Sequence, residues 1–127
     1  MKGLMKKTIV TLLSGALLLV LSSTGWAHAF LDHAEPAVGS EVKQAPSVVK
    51  LWFTQNLEPA FSAVEVQDAQ GKVVEKVDAH LDAQNKSLFL VSMPSLPAGS
   101  YTVIWHVVSV DTHKTQGRFK FTIKPQH

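Results

Sequence analysis

The chain has 127 residues, no cysteine and a formal net charge of +2 at pH 7. The absence of cysteine excludes a disulfide framework, a thiolate metal site and a lipid-modified cysteine. The small net charge, without any basic run, argues against a nucleic-acid partner or an anionic membrane surface.

The N-terminus has the pattern of a targeting segment. Three lysines and no acid stand in residues 1–7, an apolar run follows from Ile9 to Leu21, and small residues lead to Ala27. This order is typical of a secretory signal peptide. A membrane anchor would need about 20 consecutive apolar residues, and this run is shorter. We therefore predict that residues 1–27 are a signal peptide and that the exported protein keeps no stable membrane anchor.

Two cleavage sites compete. A cut after Ala27 leaves His28 as the first residue, whereas a cut after Ala29 leaves Phe30 first. The local small-residue pattern slightly favours the second site. Both cuts remove the three N-terminal lysines. After the first cut, nine basic residues face ten acidic ones in the 100 residues 28–127, a length that suits one domain with one core.

The remaining chain alternates apolar and polar residues between turn signals, with turns at 68–71 and 96–99. This pattern predicts an all-β fold, an antiparallel Greek-key barrel or immunoglobulin-like sandwich of about seven strands. The segment 56–61 has room for a helical turn. Four aromatic residues are expected in the core: Trp52, Trp105, Phe119 and Phe121. The predicted strands are His28–His33, Val48–Thr54, Ser62–Gln67, Lys72–Val77, Ser87–Met93, Tyr101–Val110 and Arg118–Lys124.

The candidate metal ligands are His28, Asp111 and His113. As a first residue, His28 would offer its α-amine and its own Nδ1 to one ion, and both groups lose protons near neutral pH. Asp111 and His113 are two residues apart, so an extended backbone projects them to the same side. Nitrogen and oxygen donors without sulfur suit Cu(II), although Zn(II) accepts the same donors.

Six stretches of residues 28–124 follow a known family pattern in the right order, and the most specific of them runs from Trp105 to His113. The others are His28–Leu31, Glu35–Ser40, Leu51–Leu57, Leu96–Val103 and Gly117–Ile123. On these stretches the sequence resembles the CopC family of periplasmic copper-binding proteins, and within it a branch in which the domain stands alone.

The resemblance implies a periplasmic Greek-key domain over residues 28–127 that begins at the processed His28. It implies one Cu(II) ion per chain, held by His28, Asp111 and His113, and so favours the cut after Ala27. Family members often neighbour an inner-membrane copper transporter named CopD, which makes such a transporter a candidate partner. We expect a monomer that carries or buffers copper and is not an enzyme.

Two positions depart from the family pattern. Gln55 stands where many members have a glutamate near the copper, and a neutral amide adds no negative charge. Some members hold Cu(I) in a methionine-rich loop, but residues 28–127 contain a single methionine, Met93, which reads as core filling. We therefore expect no Cu(I) site of that type.

The other histidines carry weaker signals. His106 falls on the strand face opposite Trp105 and is expected at the surface. Strict alternation puts His33 on the face opposite His28, and only a β-bulge would make it an accessory ligand. His80 and His127 lie in polar or terminal contexts and read as solvated.

Two other classes of function stay open at this point. An N-terminal histidine with a second histidine also forms the copper site of lytic polysaccharide monooxygenases, which are usually larger and have a broad substrate face. A metal-free immunoglobulin-like structural module would leave the histidines incidental. Oxidation of a polysaccharide, or failure to bind metal after correct processing, would distinguish these classes.

Overall fold

The structure, a computed structural model, describes residues 30–126. The predicted signal peptide, both cleavage sites, His28 and His127 lie outside the described residues. Within residues 30–126, no helix is long and apolar enough to cross a membrane.

The described chain is built almost wholly from strands, which confirms the predicted all-β class. A single-turn 3₁₀ helix at Pro59–Phe61 occupies the segment where a helical turn was allowed for. The strands are β1 Leu31–Glu35, β2 Glu41–Val42, β3 Val48–Phe53, β4 Ala63–Gln67, β5 His80–Leu81, β6 Leu88–Ser92, β7 Gly99–Val108 and β8 Lys114–Ile123.

The strands form two four-stranded sheets. Sheet 1 has the order β1-β3-β6-β5 and sheet 2 the order β2-β8-β7-β4. Neighbouring strands are antiparallel, except that the short β2 runs parallel to β8. Chain neighbours such as β3 and β4 lie in different sheets, as in Greek-key sandwiches.

The core lies between the two sheets and follows the alternation of the strands. In β7, the side chains of Tyr101, Val103, Trp105 and Val107 are all buried, as predicted. The residues between them face outward on sheet 2. This strict period of two gives the domain one apolar layer, and it fixes which side chains of β7 and β8 reach the surface.

The prediction that Trp52 belongs to the core is wrong. Its neighbours Leu51 and Phe53 point inward, so the pleat turns Trp52 outward, where it is only partly buried. There its ring stacks on His33, with centroids 4.3 Å apart and an interplanar angle of 10°. The predictions for Trp105, Phe119 and Phe121 are confirmed.

The predicted strand Lys72–Val77 is also wrong. Its β-bridge to β4, between Gln67 and Val73, is isolated, and Val74 N donates to Val66 O at 2.9 Å. The Glu75 carboxylate accepts the backbone N–H of Val66 at 2.9 Å, so a side chain replaces a ladder hydrogen bond at this point. The outer strand beside β6 in sheet 1 is the two-residue β5, which sequence reasoning missed.

Gly117 generates the first testable prediction, because it faces Trp105 across the β7–β8 pair. A Cβ at this position would lie 2.6 Å from Trp105 Cζ2, and the indole is held edge-on against Phe53. We expect Gly117→Ala to lower the free energy of unfolding by about 1–3 kcal/mol through overpacking. Urea unfolding followed by tryptophan fluorescence measures it.

A matched control is Lys120→Ala, on the exposed face of the same strand. It should change the unfolding free energy by no more than about 0.5 kcal/mol. Equal stability of wild type and Gly117→Ala would show that the indole can move aside.

Candidate metal site

The turn between β7 and β8 carries two of the three predicted ligands. Ser109 N donates to His113 O at 3.0 Å, and Thr112 N donates to Ser109 O at 2.8 Å. These two hydrogen bonds close a tight turn at the end of the long hairpin. Asp111 and His113 are therefore held by a rigid pair of strands.

The side chains of Asp111 and His113 lie together, as predicted. Asp111 Oδ2 is 3.3 Å from His113 Nδ1, and both side chains are about half exposed, at 46% and 52%. The prediction assumed an extended backbone, whereas the structure brings the pair together in a turn. The pairing is confirmed, but its geometric cause is different.

Ser109 is the residue at this site that sequence reasoning missed. It is fully buried, and its hydroxyl donates a hydrogen bond to Asp111 Oδ1. This hydrogen bond, followed by the contact with His113, lowers the pKa of the Asp111 carboxyl below its ordinary value, so the group is ionised at neutral pH. The available signal was a serine two residues before an aspartate at the end of a buried strand.

Thr112, between the two candidate ligands, has an uncommon backbone conformation. Its φ is +71°, a region that β-branched residues rarely adopt and that glycine usually fills in three-residue hairpin loops. Its hydroxyl donates to Asp111 O at 2.6 Å. Strain of this kind is often found at functional sites.

The start of the described chain lies at the same end of the sandwich. Phe30 N donates to Thr54 Oγ1, and Thr54 N donates to Phe30 O, both at 2.9 Å. Two residues further on, Asn56 O accepts Val110 N at 3.1 Å. The segment 54–56, with the half-buried Gln55 at its centre, thus joins the entry of the chain to the Asp111–His113 turn.

The remaining described histidines lie elsewhere. A bulge in β1 turns both Asp32 and His33 outward, and His33 Nδ1 pairs with Asp32 Oδ2 at 2.7 Å. His106 is exposed, as predicted, and its Nδ1 lies 3.1 Å from Gln116 Oε1. The exposed His80 donates to Asp78 O.

Residues 30–126 contain no group of three or more His, Cys, Asp or Glu side chains placed to hold a metal ion. Asp111 and His113 therefore supply at most part of a ligand set. His28, the remaining predicted ligand, is outside the described residues.

The described residues form a small two-sheet β-sandwich that carries an Asp–His pair on the turn between β7 and β8. Its class is therefore that of small all-β domains with a candidate metal site at one end of the sandwich. The chain belongs to the CopC family, because the CopC domain model matches residues 31–124.

The relatives agree with this assignment. Protein YobA of Escherichia coli K12 is 38% identical over 100 residues, which cover 78% of this chain and 81% of that protein. This agrees with the predicted likeness to the stand-alone branch. The prediction that the chain is not an enzyme agrees with the family, whose members include copper resistance protein C of Escherichia coli.

Two solved structures share the fold. The crystal structure of CopC from Methylosinus trichosporium OB3b has a TM-score of 0.73 and 36% identity, covering 79% of this chain and 97% of that one. PcoC, described as a methionine-rich copper resistance protein from Escherichia coli, has a TM-score of 0.68 and 31% identity, covering 77% of this chain and 100% of that one.

The strained Thr112 leads to a second prediction. Glycine adopts a positive φ without steric cost, so Thr112→Gly should raise the free energy of unfolding by about 1 kcal/mol after its own entropic cost. Thr112→Val is the matched control, because it keeps the β-branch and the strain but removes the hydroxyl. Urea unfolding should rank glycine above threonine and threonine above valine, and a glycine variant less stable than valine would contradict the strain.

Proposed function

We propose that this protein, after removal of residues 1–27, binds one Cu(II) ion in the periplasm and serves copper homeostasis or resistance as a carrier or buffer. The observation that carries the proposal is the Asp111–His113 pair on the turn beside the entry of the chain. The similarity to PcoC, a copper resistance protein, supports it.

The proposed ligand set is completed from the N-terminus. His28 would contribute its amine and its Nδ1, and His113 would contribute an imidazole nitrogen. His28 precedes Phe30 by two positions, which limits their Cα separation to about 7 Å, so a ligand at position 28 would be within reach of the end of the sandwich where Phe30 pairs with Thr54. Three nitrogens and an oxygen suit the tetragonal preference of Cu(II).

Asp111 fits the role of an orienting group or weak ligand. Its carboxylate lies against Nδ1 of His113, a contact that in metal sites fixes the ring and directs Nε2 to the ion. Ser109 in turn holds the carboxylate from the buried side. The turn therefore supplies one ligand together with the groups that orient it.

The oxidation state also follows from the donors. Cu(I) prefers thioether sulfur, but Met93 is only 5% exposed and packs in the core. The half-buried Gln55 lies in the segment 54–56, which pairs with both Phe30 and Val110. Its side chain is neutral and would assist copper binding by hydrogen bonding rather than by charge. The protein is accordingly proposed to hold Cu(II) as a monomer and to exchange it with a transporter of the CopD type.

The third prediction tests the ligands one at a time. His113→Ala removes a nitrogen donor, and one alanine inserted before His28 in the secreted protein moves the amine out of its chelate ring. We expect each change to weaken Cu(II) binding more than about 100-fold, and Asp111→Asn to weaken it about 10- to 100-fold. Competition titrations with a copper chelator measure the affinities.

His106→Ala is the matched control, since it removes an exposed imidazole outside the proposed site. It should leave the affinity unchanged. Electron paramagnetic resonance decides the role of the amine: a native copper spectrum in the alanine-extended protein would rule the chelate out. Mass spectrometry of the secreted protein should show His28 first, and a mass starting at Phe30 would remove the main ligand.

The fourth prediction concerns pH. The pKa of Asp111 is lowered, so its carboxylate stays ionised from pH 7 to pH 5 and cannot cause a change in that range. The proposed nitrogen donors must be deprotonated to bind copper, so protons compete with the metal and the affinity should fall by about tenfold or more per pH unit below about pH 6. Asp111→Asn should bind more weakly but show the same slope, and a flat profile would indicate carboxylate-dominated binding.

A further inference from the structure

The outer face of sheet 2 carries a row of unpaired positive charges. Lys114, Arg118 and Lys120 alternate along β8 and are all exposed. Within residues 30–126 their side chains form no ion pair, whereas Lys124 is paired with Glu41 at 3.3 Å. The row spans about 20 Å at the usual rise of a strand.

Few negative charges balance this row. The acids on the outer face of sheet 2 are Glu41, which is paired with Lys124, and Glu65 on β4, which lines the same shallow depression as Arg118. Its carboxylate accepts a hydrogen bond from Gln67 Nε2 at 3.0 Å. The face around β8 is therefore cationic, although residues 28–127 as a whole are close to neutral.

A groove of about 800 Å³ adjoins the row of cations. Phe61 forms one side and is 72% exposed, an unusual state for a phenylalanine. His106, Lys114 and Gln116 line the β7–β8 side, and a smaller depression continues from them to Arg118. The combination is an apolar recess with a positively charged border.

The groove ends at the candidate metal site. Thr112, which lies between Asp111 and His113, belongs to its lining. A molecule seated in the groove would thus be beside the two candidate ligands without occupying the core of the sandwich.

We propose that this surface, made by the groove and by Lys114, Arg118 and Lys120, docks an acidic segment of a partner protein that carries an apolar side chain. The cations would pair with its carboxylates, and its apolar side chain would pack on Phe61. This places the partner where it can exchange the metal, a consequence that rests on the proposed copper function.

The charges and the shape favour a protein over a lipid surface. Recognition of anionic lipids generally uses clusters of four to eight basic residues, and this row has three. A recessed groove beside the row also accepts a protruding side chain better than it accepts a plane of headgroups. Charge complementarity at such a border mainly speeds association and excludes wrong partners.

The test uses metal-free protein consisting of residues 28–127 and an acidic probe peptide, N-acetyl-Asp-Glu-Phe-Glu-Asp-amide. Two-dimensional amide NMR should show shifts concentrated at the groove, around His106 and Gln116. Arg118→Glu with Lys120→Glu should weaken the peptide about tenfold at low salt, and Phe61→Ser should also weaken it. Added sodium chloride should reduce binding of the wild type.

The matched control is Lys72→Glu with Lys76→Glu, which makes the same change in net charge at exposed positions outside sheet 2. It should retain wild-type binding. An equal loss of peptide affinity in this control, or amide shifts scattered over the surface, would overturn the docking surface. Selective binding of vesicles of phosphatidylglycerol and phosphatidylethanolamine in place of the peptide would also overturn it. Arg118→Gln with Lys120→Gln replaces the glutamate pair if that variant does not fold.

A copper titration of the same variants separates the two proposals. Arg118 and Lys120 are not proposed ligands, so their replacement should leave the Cu(II) affinity unchanged. Failure of the wild type to bind copper, with peptide binding intact, would reject the proposed function and leave the docking surface standing.

Discussion

The backbone pairing between segment 54–58 and the end of β7 is the constraint on which the polar end of this sandwich depends. Val110 N donates to Asn56 O and Glu58 N donates to Val108 O. These hydrogen bonds join the segment that follows β3 of sheet 1 to the end of β7 in sheet 2. Phe30 is paired with Thr54 at the start of the same segment. One short crossing therefore brings together two regions that are some 80 residues apart in sequence.

The fold was predictable because its strands alternate strictly. Tyr101, Val103, Trp105 and Val107 show the period of two that buries one side of β7, and it appears without any knowledge of the partner strands. The same rule also gives the correct orientation of Trp52, which was assigned to the core because it is aromatic. For Trp52 the aromatic residue type gave the wrong prediction, whereas the alternation of the strand gave the right one.

The short and side-chain-dependent elements were not predictable. Two-residue strands such as β2 and β5 are too short to show a period, and the segment 72–77 contacts β4 partly through the Glu75 carboxylate on Val66 N, which a sequence pattern does not reveal. At the candidate site, the pairing of Asp111 with His113 was foreseen, but Ser109 and the positive φ of Thr112 were not. Both depend on the closed geometry of the turn.

The bulge in β1 has a consequence for self-association. β1 is an outer strand of sheet 1, and a regular outer strand offers free backbone groups to another chain. The shift of register between Leu31 and His33 interrupts that regular edge, and it turns Asp32 and His33 outward together. An irregular, polar border of this kind hinders edge-to-edge pairing of two molecules through β1.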